Sequence, residues 1–149
     1  MNTILTRLAV DSIRHALALN TGPGIPRLPH IPNNLLTDIL FPKQREENLL
    51  FLSLWVIERD SHNLEMSTWH ADAKTGYTGV VTLQNCGEVH CISGFAQVMC
   101  GEKGFFMYPG FVGRLLLGDE AGTHFTDSNA DALCFLRRVI SRNSPGASA

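Results

Sequence analysis

Residues 86–109 read CGEVHCISGFAQVMCGEKGFFMYP, and the fold class turns on whether this stretch is sheet. Three of the four cysteines, a histidine and several aromatic residues stand here between glycines. VHCISGFAQVMC and KGFFMYP read as two strands joined by the turn Gly101-Glu102-Lys103-Gly104. Upstream, Leu64, Met66 and Thr68 alternate with Glu65, Ser67 and Trp69. YTGVVTLQ, rich in β-branched residues, follows a Lys74-Thr75-Gly76 turn. Four consecutive runs with short connections predict a central antiparallel β-meander over about residues 64–109.

Helical signals flank this region. Leu5, Ala9, Ile13, Ala16 and Leu17 share one helical face, with Arg7, Asp11 and Arg14 elsewhere, so a short amphipathic helix is expected to end near Asn20-Thr21-Gly22. In TGPGIPRLPHIPNN, residues 21–34, prolines recur at every third position: Pro23, Pro26, Pro29 and Pro32. Fixed φ and a missing N–H predict a polyproline-type strap. Ile25, Leu28 and Ile31 form an apolar edge at the same period, which favours packing on the strap's own domain over docking to an aromatic groove elsewhere. In KQREENLLFLSLWVIERD, the apolar run from Leu49 to Ile57 fits either a buried strand or a helix. Glu46 and Glu47 suit a helical first turn.

Near the C-terminus, Ser128 with Asp131 resembles a capping box. The helix it opens, about 129–142, puts Ala132, Leu133, Leu136, Val139 and Ile140 on one side. Arg137 and Arg138 fall in its later turns, where the helix dipole favours cations. NSPGASA, residues 143–149, reads as a disordered tail. Helices at the ends and strands in the middle predict a single α+β domain over residues 1–142.

Composition narrows the function classes. A chain of 149 residues with 44% hydrophobic and 17% charged content can bury a substantial core. The net charge of −2, without a run of Lys or Arg, gives no electrostatic footprint for nucleic acid or for an anionic membrane. Arg7, Asp11 and Arg14 interrupt the apolar stretch that a signal peptide or membrane span would need. The four cysteines are therefore expected as free thiols in a reducing cytoplasm.

The clustered residues invite two chemical readings. Cys86, His90, Cys91 and Cys100 give a C-x3-H-C-x8-C spacing, unlike the two short knuckles of structural zinc. Adjacent His90 and Cys91 on a strand would point to opposite faces, so neither a metal nor another cofactor is expected. For catalysis, His90 is the candidate base and Cys86 or Cys91 the candidate nucleophile. Ser53 lies in an apolar run with no visible base, and His70 and His124 read as ordinary strand and loop residues.

Two resemblances add to this. EVHCISGFAQV followed by GFFMYPG and a helix resembles the second half of papain-like cysteine hydrolases, which implies a base role for His90. Tyr108 stands where that family has an orienting side chain, and no cysteine precedes Cys86. GFFMYPGFVGRLLLGDEAGTHFTDSNADA, residues 104–132, resembles a segment of the plasmid and phage antirestriction family (ArdB/KlcA type). Gly104, Phe105, Met107 and Pro109 match a strand motif, and Ala130, Asp131 and Ala132 match a helix start. This resemblance implies protection of incoming DNA by contact with a host protein, without catalysis. The expected function is thus a non-catalytic protein-binding inhibitor or accessory factor of the counter-defence kind, with Tyr108, Asp119, Glu120 and His124 as contact residues. The alternatives are a papain-like hydrolase or its inactive descendant, and a secretion chaperone or immunity protein.

Overall fold

The apolar run whose periodicity was ambiguous is the central helix of the domain. In the computed structural model, which describes residues 5–20, 24–35, 37–68, 70–72, 88–101 and 108–144, α1 spans Arg7–Leu19 and α2 spans Pro42–Trp55. Pro42 occupies the first turn of α2, where its missing N–H costs nothing, and Gln44 Oε1 accepts from the Phe41 N–H at 2.9 Å. From Asn48 to Trp55 every residue of α2 is buried. A helix apolar all round must lie inside, and α2 packs against α1, α4 and α6. It runs on into one π-helical turn, Val56–Asp60, and a 3-10 turn, Ser61–Asn63.

The expected central β-meander is not what the chain builds. Among the described residues the domain is mainly helical, so the α+β assignment is overturned. Among the described residues strand is limited to β1, His70–Asp72, and β2, Glu88–His90, paired antiparallel with His70 opposite His90 and Asp72 opposite Glu88. Leu64 adds an isolated parallel bridge to His90. After β2 the chain turns straight into α3, Ile92–Met99. Ile92, Phe95, Ala96 and Met99 are all fully buried, at the i, i+3, i+4, i+7 spacing of a helix face. Neither set of alternate positions in VHCISGFAQVMC is purely apolar, which is why helix wins there over strand. The proposed strands YTGVVTLQ and residues 103–107 lie outside the described residues.

Pro109 opens α4, Pro109–Leu117, rather than closing a strand. Tyr108 before it is extended (φ −60°, ψ 129°), as a residue preceding proline prefers. Gly118, at φ +96°, breaks α4 and leads into the single turn α5, Asp119–Gly122. Then α6 spans Asn129–Asn143, and the Ser128 side chain accepts from the Asp131 N–H as the sequence suggested. Asn143, placed in the tail by sequence, closes α6 instead. It is buried, accepts from Leu5 N–H at 3.2 Å and donates to Val139 O at 2.8 Å.

Leu28 ties the proline strap to this core in two ways. Leu28 is buried, with Ile25 and Ile31 packed beside it, as the apolar edge implied. The Leu28 N–H donates to Met99 O at 3.1 Å, linking the strap to α3.

Candidate functional site

The candidate base and nucleophile sit at the junction of β2 and α3. His90 ends β2 and is fully buried, its ring edge-on to Phe95 with centroids 5.0 Å apart. Its carbonyl accepts from Glu65 N–H at 2.8 Å, which fixes the strand end. Cys91 is the N-cap of α3: its Sγ accepts from Gly94 N–H at 3.3 Å and lies 3.3 Å from Ser93 Oγ. The side chain is 1% exposed. Burial pushes the Cys91 thiol up, against the opposing hydrogen bonds from Ser93 and Gly94. A thiol held protonated is a poor nucleophile, so this cysteine does the capping work of a serine inside the core. Cys86 lies outside the described residues.

The other candidates resolve into packing roles. Cys100 is buried in the core, whereas Cys134 is exposed on α6. Ser53 is buried and donates back to Leu49 O at 2.7 Å within α2. Among the described residues, no group of three or more His, Cys, Asp or Glu side chains is placed to hold a metal ion.

The residues expected to contact a partner divide into two sets. Tyr108 is 86% exposed at the start of α4, and Phe111, one turn on, is 48% exposed. The opposite side of that helix buries Val112 and Leu116 completely. Asp119 is exposed at the start of α5. Glu120 is instead committed inward. Arg142 donates to both of its carboxylate oxygens, Nη1 to Oε2 at 2.9 Å and Nη2 to Oε1 at 2.7 Å. The same guanidinium also reaches Glu46 Oε1 at 2.7 Å, tying α2, α5 and α6 together. His124 is held as well, by Asp127 Oδ2 at 2.7 Å from its Nδ1 and by stacking on Phe135 at 3.9 Å.

Three arrangements escaped the sequence reading. Asn48, fully buried on α2, accepts from His30 N–H at 3.0 Å and donates to His30 O at 2.8 Å and Leu116 O at 3.0 Å. A polar residue at the edge of an apolar run was its signal. Beside it the His30 ring pairs with the Glu47 carboxylate, across a groove of about 640 Å³ bordered by α1, the strap and α2. Asp60, at the end of the π-helical turn, is buried and accepts from Trp55 Nε1 at 3.3 Å and from Asn63 Nδ2 at 2.6 Å.

Compared with known protein families, with curated proteins and with solved structures, the chain has no match.

Proposed function

We propose that the protein acts by binding another protein, without catalysis, through the exposed face at the start of α4. The observation that carries this reading is the pair Tyr108 and Phe111, two aromatic side chains left in solvent one turn apart on a helix whose other side is buried. Exposed aromatics in this arrangement are the residue type that anchors protein interfaces, because they bury large area with few rotatable bonds. The complementary partner surface is an apolar cleft that takes the two rings. Tyr108 and Phe111 fall inside the segment 104–132 that resembles the antirestriction family, and this supports a component of a host restriction system as the partner. The hydrolase alternative is poorly served by a buried His90 and a Cys91 thiol that burial holds protonated.

The test places a photo-crosslinking amino acid at position 108 or 111 in bacterial cells carrying a restriction system. One discrete crosslinked protein, lost when the label moves to Lys43, is the expected result. Plating of unmodified phage on the same cells should rise with the wild-type protein. It should fall back with Tyr108→Ala or Phe111→Ala, each costing on the order of 30-fold in affinity if it is a hot spot. Unchanged protection by both folded variants would refute the interface. Crosslinking without protection would keep the binding role and refute the counter-defence role.

A further inference from the structure

We propose that the groove between α1, the proline strap and α2 is a binding site for a small carboxylate with an apolar body, held at its head by Arg27 and Asn20. The groove is separate from the α4 face. Its volume of about 640 Å³ lies within the usual range for small-molecule sites. Ala9, Ile13 and Ala16 of α1 form one wall, Pro26 and Pro29 the second, and Phe51 of α2 is part of the base. These side chains are small or rigid, so the cleft is preformed. Fixed prolines lose little freedom when something fills it.

The polar groups of the groove decide what fits. Asn20 Nδ2 is a buried donor with no hydrogen-bond partner among the described residues, and Asn20 lines the groove. A buried donor left unmade is costly, and a turn of the Asn20 side chain toward an incoming acceptor would recover that cost. Arg27 also lines the groove. It is exposed at the groove's edge, and its guanidinium lies over Gly101, where a Cβ would stand 2.8 Å from Nη1. Both groups are donors, and one is a cation. The groove's acid, Glu47, is already engaged by His30, so it opposes an anion less than a bare carboxylate would. A carboxylate supplies two acceptor oxygens for a guanidinium and an amide N–H together. Its apolar remainder would lie along the alanine and proline walls.

Sodium octanoate is the probe, titrated calorimetrically into the full chain, with octylamine and 1-octanol as comparisons. The expected result is saturable one-to-one binding of octanoate, tighter than either comparison by on the order of tenfold or more. Arg27→Gln should weaken it by a similar factor, and Asn20→Ala should weaken it too. Ala16→Phe, at a solvent-facing position of α1, should fill the groove and abolish binding while leaving the melting temperature unchanged. Amide shifts in two-dimensional NMR should cluster on α1 and residues 26–30. No saturation below about 10 mM would overturn the proposal. So would equal binding of octylamine or octanol, or octanoate binding that survives both Arg27→Gln and Ala16→Phe.

Discussion

Replacing Asn48 by alanine should loosen the hold of the core on the proline strap around His30. The side chain is fully buried and makes three hydrogen bonds, two to the His30 backbone and one to the Leu116 carbonyl. Leu116 lies in the last turn of α4, where carbonyls lack a partner within the helix, so Asn48 supplies what the helix cannot. Alanine removes the acceptor of the His30 N–H and the donor of two carbonyls. The Leu116 bond is buried, and losing it carries most of an unsatisfied-group penalty; the two His30 bonds are part-buried and count for less. The sum is about 3–4 kcal/mol. Against a typical total stability of about 5–15 kcal/mol, that is a severe loss for three atoms. Urea unfolding should show the midpoint falling with an unchanged slope, and hydrogen exchange at the His30 amide should accelerate. Asn48→Asp separates the bonds. It keeps the acceptor for His30 N–H but turns a carboxylate toward two carbonyls, so it should be at least as harmful at neutral pH and partly recover in acid. A loss below about 1 kcal/mol for Asn48→Ala would refute the reasoning, since it would mean water or rearrangement replaces all three bonds.

Two further outcomes follow from local geometry. Gly113 brings α4 close to α3: a Cβ there would stand 2.6 Å from Phe125 Cζ and 2.8 Å from Ser93 Cβ. Gly113→Ala should therefore cost about 1–3 kcal/mol from overpacking, outweighing its gain in helix propensity, whereas Gly110→Ala, with nothing within 4 Å, should stabilise by up to about 1 kcal/mol. Thermal melts of the two variants should move in opposite directions. Asp60 gives a pH dependence: burial raises its carboxyl above the ordinary 3.8, more than the hydrogen bonds from Asn63 and Trp55 lower it. The folded state then keeps this proton to higher pH than the unfolded chain, so its contribution is lost as pH rises from 3.8 through the folded value. The stability of Asp60→Asn relative to wild type should improve over that rise in denaturation curves taken from acid to neutral pH; a constant difference would remove Asp60 from the pH response.

Local signals told the truth where one residue type acts through its own backbone. Ser128 capping α6 and the Asn20 end of α1 both follow from groups within a turn of one another, whereas Pro109, read as part of a strand, opens α4. The stretch 86–109 failed because its β-branched residues Val89, Ile92 and Val98 favour strand by local propensity, and Cys91 is not among the usual capping residues. Only the packing of Ile92, Phe95, Ala96 and Met99 against the rest of the core settles residues 92–99 as helix. The contact residues divide for the same reason. Nothing near Glu120 or Glu46 in sequence reveals Arg142, which lies 22 and 96 positions away. The sequence by itself therefore determined the terminal helices, their caps and the strap's buried edge, since these depend on interactions within a few residues. The tertiary structure alone decided the interior helix α2, the helical fate of residues 92–99 and the groove beneath the strap, because each depends on surfaces that distant segments bring together.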